Sequence, residues 1–282
     1  MNDQAEALRR RVQLSESKEA TVIAVASGKG GVGKSNVCLN LAIALAQHGK
    51  RVAIFDLDFG MANVDILMGV SPRFHLIDML ESRLTIWDIL EKGPGGISYF
   101  AGGSGFTGFI HLNESKLNRF FGQMEAISSR YDFIFLDMGA GATEESMKLI
   151  LAAHEVFIVT TPEPTAMTDA YSMIKYIHLR DQKKPMFVIV NRAESDQEGR
   201  HTIENLQRVA KQFLQKVLTP LGVLPYDQAV SKAVKAQTPF VLYDNKAQAS
   251  AAMFELARSY LGLERSSESR AASFIARVRT FF

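Results

Sequence analysis

Short apolar runs alternate with longer amphipathic segments along most of the chain. The runs are four to six residues long and rich in β-branched and aromatic residues, which is typical of buried strands. Seven such strands are predicted: Thr21–Ala26, Arg51–Phe55, Ile97–Ala101, Phe133–Asp137, Glu155–Thr160, Met186–Asn191 and Leu221–Leu224. Apolar residues at helical spacing predict helices between the strands: Val37–Gln47, Lys116–Ser129, Ala166–Leu179, Glu198–Leu218 and Ala247–Leu261.

This alternation indicates a fold class. Strands that are apolar on both faces and separated by helices form parallel sheets covered by helices on both sides. We therefore expect an α/β fold with a mostly parallel, twisted sheet. In such sheets, ligands bind at the carboxyl ends of the strands, and the chemical motifs of this chain follow predicted strands.

The chain divides into three segments. Residues 1–20 precede the first predicted strand, and residues 21–262 contain all seven strands. Residues 263–282 combine a polar stretch, Glu264–Arg270, with a basic amphipathic tail. A chain of 282 residues is long for an average domain, but α/β folds of this size often form one core. The sequence predicts an N-terminal arm, one α/β domain and a C-terminal tail.

Composition excludes several classes of protein. Lys and Arg exceed Asp and Glu by only two, which gives no general case for nucleic-acid binding. The single cysteine, Cys38, excludes a disulfide framework or a thiolate metal site within one chain, and it fits a reducing cytoplasm. Neither a signal peptide nor an apolar run of roughly twenty residues is visible, so we expect a soluble or peripheral cytoplasmic protein.

The strongest chemical motif follows the first strand. Gly28–Ser35 fits the phosphate-loop pattern G-x-x-x-x-G-K-[ST], in which glycines allow backbone N–H groups to face phosphate oxygens. Lys34 brings charge to the β- and γ-phosphates, and the Ser35 hydroxyl is a ligand for Mg²⁺. A chance match is disfavoured by the preceding strand and following helix. The expected nucleotide-binding residues are Gly28, Lys29, Gly30, Gly31, Val32, Gly33, Lys34, Ser35 and Asn36.

Acidic residues end two further strands. Asp56 and Asp58 follow the second strand and point the same way, toward the phosphate loop. Asp137 follows four apolar residues and precedes the glycine-containing Met138–Gly141. Phosphoryl chemistry needs one carboxylate at the Mg²⁺ shell and a group that orients the attacking water. The alternative for the first pair is that these acids cap the next helix.

A candidate base pocket lies later in the chain. Asn191 can both donate to and accept from an adenine edge, and Arg192 can stack over the ring. Pro225, Tyr226 and Asp227 follow the last strand and are candidates for the opposite wall. On the residues alone, a simple turn made of turn-forming residues is slightly favoured.

The tail Arg270–Phe282 has a helical apolar stripe and no acidic residue. Without its three arginines, the chain would have 29 basic against 30 acidic residues. A basic amphipathic helix suits an anionic membrane surface, and two tails on a dimer gain avidity. The alternative is a helix packed on the body, and both states are compatible with the pattern. The candidate membrane residues are Phe274, Ile275, Val278, Phe281 and Phe282.

Together these residues resemble the MinD/ParA class of ATPases, whose deviant Walker A loop carries an early signature lysine, here Lys29. The resemblance covers about Thr21 to Leu261. It implies a P-loop NTPase fold, bound ATP or ADP with Mg²⁺, and a homodimer that sandwiches ATP. It also implies residue roles. Lys29 would reach the partner's phosphates and act with Lys34 in catalysis, and Asn191 would read adenine. Asp56 would support the metal and Asp58 would position the attacking water. Asp137 would be the switch acid, and its carboxylate would reach the Mg²⁺ or its waters.

Within this class, the chain is most similar to the flagellar-number regulators called FlhG, FleN or YlxH. The similar stretches are Phe59–Asp65, Ala101–Gly105 and Thr161–Tyr171, of which the last is the most specific. Asp3–Arg9 also resembles the N-terminal motif by which these regulators stimulate the GTPase FlhF. The residues alone leave an exposed terminal segment as the alternative. The candidate partner-binding residues are Asp3, Gln4, Leu8 and Arg9.

The resemblance leads to an expected function and two alternatives. We expect an Mg-dependent ATPase that dimerises with ATP, attaches reversibly to the inner face of the cell membrane and regulates flagellar number or placement. FlhF-type GTPases and C-ring proteins of the basal body are the expected partners. A MinD-like division-site ATPase and a ParA-like DNA-partition ATPase are the alternatives. DNA binding is not expected, because the body lacks an obvious basic patch, and one cysteine is too few for a nitrogenase iron protein.

Overall fold

The computed structural model describes residues 20–58, 63–102, 114–262 and 274–281. In this part of the chain, eight strands form one sheet: β1 (Thr21–Ala26), β2 (Val52–Leu57), β3 (Glu91–Lys92), β4 (Ser98–Phe100), β5 (Phe133–Met138), β6 (Glu155–Thr160), β7 (Met186–Ala193) and β8 (Thr219–Pro225). The α-helices are α1 (Lys34–Gln47), α2 (Val64–Met68), α3 (Leu76–Glu81), α4 (Glu114–Ser128), α5 (Glu144–Ala152), α6 (Pro164–Arg180), α7 (Asp196–Leu214), α8 (Gln228–Lys235), α9 (Phe240–Tyr243), α10 (Gln248–Gly262) and α11 (Phe274–Arg279).

The strand order is β3-β4-β2-β5-β1-β6-β7-β8. Every neighbouring pair is parallel except β3 and β4, where Glu91 lies opposite Tyr99 in an antiparallel bridge. The predicted α/β class with a mostly parallel sheet is confirmed. The sequence pattern did not predict β3, because its two residues are charged and carry no apolar periodicity.

Alternation along β1 explains why helices cover both faces. Val22 and Ala24 belong to one hydrophobic cluster, while Ile23 and Val25 belong to another. Because successive side chains of a strand point to opposite faces, the two clusters lie on the two sides of the sheet. Helices α1 and α10 supply the second cluster, and α4, α5, α6, α7 and α11 supply the first.

Most predicted boundaries agree with the structure within a few residues. Strands β1 and β6 have the predicted limits. The predicted helix Glu198–Leu218 is wrong at its end, because Gln215 adopts a left-handed conformation (φ 53°) that stops α7 at Leu214. The next residues lead directly into β8. Cys38 lies in α1 as predicted and is fully buried.

The central strands place the chemical motifs together. β1 lies between β5 and β6, and β2 pairs with β5. The register puts Asp56 of β2 directly beside Asp137 of β5. The phosphate loop leaves the carboxyl end of β1 at the same edge. Within the described ranges, no helix is long and apolar enough to cross a membrane.

Candidate nucleotide-binding site

The phosphate loop needs its glycines for two reasons. Gly31 (φ 82°) and Gly33 (φ 86°) adopt backbone conformations that L-residues with a side chain rarely adopt. At Gly28, a Cβ atom would lie 2.0 Å from the carbonyl oxygen of Asp169 in α6. The loop is therefore pressed against α6 while its turn opens toward the N-terminus of α1. Such a terminus presents backbone N–H groups and favours anions.

Lys34 is the first residue of α1, and its side chain is buried. Its Nζ donates to Oδ1 of Asp137 across 2.6 Å and lies 3.5 Å from the Ser35 hydroxyl oxygen. Burial lowers the pKa of Lys34, but the charge and hydrogen bond of Asp137 outweigh burial, so the pKa lies above its ordinary value. The predicted phosphate-binding lysine, switch acid and metal-binding hydroxyl thus meet at one point.

Asp56 is buried and fixed by three hydrogen bonds. Its Oδ1 accepts from the backbone N–H of Asp58 (3.2 Å), and its Oδ2 accepts from the backbone N–H of Val64 (3.2 Å) and from the Tyr99 hydroxyl (3.3 Å). Burial raises the pKa of Asp56 to about 7, and the nearby charge of Asp137 adds to the rise. Val64 is the first residue of α2, so Asp56 also accepts a hydrogen bond from the start of the next helix, as the alternative of helix capping predicts. The contact with Tyr99 was not predicted.

Asp58 lies at the open side of the same edge. A Cβ atom at Gly139 would lie 3.3 Å from Oδ1 of Asp58, so the glycine after β5 allows the carboxylate to approach that strand closely. Asp58 is half-buried, in contrast to Asp56 and Asp137, which are fully buried. A partly exposed carboxylate beside a phosphate loop is suited to holding a water molecule.

The donor set fits magnesium. Asp137 Oδ2 is buried and has no hydrogen-bond partner among the described residues, so this oxygen is available to a cation. Ser35 and Asp56 supply the other hard oxygens near it. No group of three or more His, Cys, Asp or Glu side chains within the described ranges would hold a metal alone. Mg²⁺ takes one or two carboxylates and completes its shell with phosphates and water.

Lys29 contacts its own chain. Its Nζ lies 3.4 Å from Oε2 of Glu163 and 3.1 Å from Oγ1 of Thr165 at the start of α6. Both Lys29 and Glu163 are exposed, at 42% and 65% of their side-chain surface. The contact ties the early lysine to the segment Thr161–Tyr171, and the sequence pattern did not predict it.

A cleft of about 490 Å³ adjoins the phosphate loop and contains the predicted base-pocket residues. Asn191 donates from Nδ2 to the carbonyl of Val32 at 2.9 Å, which joins the end of β7 to the loop. The cleft also takes in residues from α8 that were not predicted, because their helical pattern is typical of a packing face. The lining residues are Gly33, Asn36, Val37, Asn191, Arg192, Leu224, Pro225, Tyr226, Asp227, Val230, Ser231, Val234, Lys235, Phe240 and Ala249.

Asp227 lines this cleft and also serves the backbone. Its Oδ1 accepts from the N–H of Ala229 (2.8 Å) and caps α8, while its Oδ2 accepts from the N–H of Ala249 (3.1 Å). Asp227 therefore stabilises a turn, which is the alternative that the residues alone favoured. Tyr226 is 60% exposed and leaves one side of the cleft open. The residues predicted for the base pocket line one cleft, and Asp227 also stabilises the backbone around it.

Helix α11 packs on the body in this structure. Phe274 and Val278 are buried, and Arg277 donates to the carbonyl of Ala153 across 3.4 Å. Phe281 is 39% exposed. The packed alternative for the tail is therefore the observed conformation. The side chains of Ile275 and Phe282, and the arm residues Asp3, Gln4, Leu8 and Arg9, lie outside the described residues.

Comparison with known sequences identifies similar proteins. The family model of the CobQ/CobB/MinD/ParA nucleotide binding domain matches residues 23–240. Antiactivator FleN of Pseudomonas aeruginosa is 41% identical over 226 residues, which are 80% of this chain and 80% of FleN. Flagellum site-determining protein YlxH of Helicobacter pylori is 33% identical over 243 residues, covering 83% of this chain and 82% of YlxH.

Comparison with solved structures identifies the same fold. MinD in the MinC:MinD cell division complex of Aquifex aeolicus superposes with a TM-score of 0.71 and 27% identity, covering 88% of this chain and 98% of MinD. MinD of Pyrococcus horikoshii complexed with Mg-ADP superposes with a TM-score of 0.72 and 26% identity, covering 86% and 97%. The predicted P-loop fold and the resemblance to the MinD/ParA class are confirmed.

Proposed function

The chain belongs to the CobQ/CobB/MinD/ParA nucleotide-binding family, and from this membership we propose that it is an Mg-dependent ATPase whose nucleotide cycle controls dimerisation, membrane attachment and flagellar number or placement. The observation that carries the proposal is the buried cluster at the phosphate loop. There, the Lys34–Asp137 pair, the Ser35 hydroxyl and Asp56 lie beside a cleft large enough for a nucleoside.

Nucleotide binding uses the phosphate loop and the adjoining cleft. The backbone of residues 28–35 and Lys34 hold the phosphates, while Asn191 and Arg192 face the base. Phosphates would compete with Asp137 for the charge of Lys34, and Asp137, Ser35 and Asp56 would hold Mg²⁺. When bound, Mg²⁺ neutralises charge that develops on the phosphate oxygens. Asp58 orients the attacking water from the open side of the site.

Dimerisation requires Lys29 to change partners. In the observed conformation its charge is held by Glu163 and Thr165 of its own chain. To reach phosphates across a dimer interface, Lys29 must leave these contacts, which are exposed and therefore weak. ATP supplies the γ-phosphate that makes the exchange favourable, so ATP promotes the dimer and hydrolysis promotes the monomer.

Membrane attachment requires α11 to leave the body. The apolar side chains that suit an acyl boundary include Phe274 and Val278, which are buried against the body in this conformation. The body and the membrane therefore compete for one apolar face. Full burial of a phenylalanine contributes roughly 1.5–3 kcal/mol in either place. Two tails on an ATP dimer favour the membrane through avidity.

The flagellar role is supported by two relatives. The relatives FleN and YlxH are named as an antiactivator and a flagellum site-determining protein. The segment Thr161–Tyr171, which resembles these regulators, supplies the residues that hold Lys29. We assign the N-terminal arm to stimulation of an FlhF-type GTPase, with C-ring proteins as the cargo. The protein then acts in the cytoplasm and at the inner face of the membrane.

Two assays test this function. Size-exclusion chromatography with light scattering should give a dimer with ATP and Mg²⁺, and a monomer with ADP. A peptide of residues 1–20 should raise the GTPase rate of FlhF, and Gln4→Ala should abolish the effect. An ATP-dependent dimer that does not stimulate the GTPase, and that instead binds a protein of the MinC type, would favour the division-site alternative. A monomer with both nucleotides would overturn the proposal.

A further inference from the structure

Tyr99 lies in the core of the sheet, one strand away from the nucleotide-binding residues. It belongs to β4, where it pairs with Ile54 of β2, and it is fully buried. Its hydroxyl donates to Oδ2 of Asp56 at 3.3 Å. Burial raises the pKa of the Tyr99 phenol, and the charge of Asp56 raises it further. A carboxylate oxygen accepts and the phenol O–H donates, so Tyr99 acts as a hydrogen-bond donor to Asp56.

Donors from three elements hold the Asp56 carboxylate. The backbone N–H groups of Asp58 and Val64 contribute two of the hydrogen bonds, from the end of β2 and the start of α2. Tyr99 contributes the third from a side chain in β4. A carboxylate held from three directions has little freedom to rotate about its side-chain bonds. Tyr99 is the donor that a substitution can remove without altering the backbone.

This arrangement matters because magnesium tolerates little distortion. Mg²⁺ requires near-octahedral oxygen geometry, and the groups that hydrogen-bond to its ligands keep those ligands in orientation. Asp137, on the neighbouring strand, is directly beside Asp56 in the sheet register. Tyr99 comes from β4, on the side of β2 opposite β5. Its hydrogen bond therefore holds Oδ2 of Asp56 on the side away from Asp137 and limits rotation of the carboxylate.

We infer that Tyr99 is a positioning residue, which fixes the orientation of the Asp56 carboxylate, a proposed ligand of magnesium. The inference rests on the proposed function, because it assumes that the chain binds nucleotide together with Mg²⁺. Tyr99 does not touch the nucleotide itself. Loss of its hydroxyl should therefore weaken the contribution of Mg²⁺ to binding and leave the contacts with base and phosphate unchanged.

The test measures binding of fluorescent N-methylanthraniloyl-ADP to the full chain in excess MgCl₂ and in EDTA. The Kd in EDTA divided by the Kd in MgCl₂ gives a ratio that reports how strongly Mg²⁺ supports binding. Tyr99→Phe should reduce this ratio by about tenfold, the lower end of the effect expected for a group that orients a metal ligand. The Kd in EDTA should stay at the wild-type value, because the ring still fills its place in the core.

Two variants serve as controls. Tyr260 is also buried and donates to a carboxylate, Oε2 of Glu155 at 2.6 Å, at the opposite end of the sheet. Tyr260→Phe should leave the ratio unchanged. In an Asp56→Asn background the ratio should already be low, and adding Tyr99→Phe should lower it no further, because the two residues act as one unit.

The outcomes separate the inference from the proposed function. A wild-type protein whose Kd is the same in MgCl₂ and in EDTA would remove magnesium from the proposed function. A wild-type dependence on Mg²⁺ that Tyr99→Phe leaves intact would overturn the inference alone. So would an equal loss of affinity in both conditions, since that result indicates a merely structural role.

Discussion

Different interactions stabilise the structure at the two ends of the sheet. At the carboxyl end, Lys34 and Asp137 form a buried ion pair of 2.6 Å. At the amino end, α11 is held mainly by the burial of Phe274 and Val278, with a longer contact of 3.4 Å from Arg277 to the body. A buried ion pair responds to a competing charge such as phosphate, whereas an apolar contact responds to a competing apolar surface such as lipid.

In the proposed function, this difference lets one chain respond to two ligands, a nucleotide and a membrane. The nucleotide end has little freedom, since removing either partner of its ion pair leaves an uncompensated buried charge. In the proposed function, the tail end has two states of similar free energy, because body and membrane would offer comparable apolar burial. A small change in the free energy of either state would then change the fraction of tails on the membrane substantially.

The largest effect is expected at the buried ion pair. Lys34→Ala should lower nucleotide affinity about 30-fold or more, since loss of one partner of a buried charge pair costs about 2–5 kcal/mol. The melting temperature should also fall, because Asp137 keeps a buried charge without its partner. Isothermal titration calorimetry and thermal unfolding measure both effects.

A second buried lysine, at the amino end, is the matched control. The Nζ of Lys184 donates to the carbonyls of Leu151 (2.6 Å) and Ala153 (2.7 Å). Lys184→Met should lower thermal stability and leave nucleotide affinity at the wild-type value. Equal losses of affinity in the two lysine variants would show that the loss at Lys34 reflects lower stability and not a lost contact with phosphate.

A large but purely kinetic effect is expected at Asp58. Asp58→Ala should reduce the rate of ATP hydrolysis by about 100-fold or more, because the attacking water loses its acceptor. Nucleotide affinity should change little, since phosphate contacts remain. Asp65→Ala, in the nearby helix α2, should hydrolyse ATP normally. Normal turnover by the Asp58 variant would remove this residue from the reaction.

The smallest effect is expected at the contact of Lys29. Glu163→Gln should tighten the ATP dimer about two- to thirtyfold. Each subunit loses one exposed Lys29–Glu163 pair of roughly 0.2–1 kcal/mol, and these two pairs no longer compete with the interface for Lys29. Analytical ultracentrifugation with ATP gives the dimer constant. Asp196→Asn, which breaks the exposed pair of Asp196 with Arg200 on α7, is the control. A weaker dimer in the Glu163 variant would show that Glu163 presents Lys29 to the interface.

Local patterns predicted which residues come together around the phosphate loop. The glycines and lysines of residues 28–35 are close in sequence, so this short segment determines the backbone shape of the loop. Parallel strands bring Asp56 and Asp137 to one edge of the sheet. The contacts from Tyr99 and Glu163 escaped prediction because they join residues far apart in sequence. Tyr99 also has the appearance of an ordinary core residue of a short strand.

The tail could not be decided from its sequence for a different reason. Its apolar stripe predicts an amphipathic helix, but the same side chains suit either the body or a membrane. The structure has Phe274 and Val278 against the body. The position of a helix with such a face depends on which apolar surface is available, and that information lies outside the helix.

The most direct test of the account asks whether nucleotide at one end of the sheet controls the tail at the other. Flotation with vesicles of anionic lipid compares the Asp58→Ala protein, in which ATP persists, with ATP and with ADP. We predict flotation with ATP and little with ADP. Adding Phe274→Glu should abolish flotation while leaving the ATP dimer intact. Equal flotation with ATP and ADP would contradict the account.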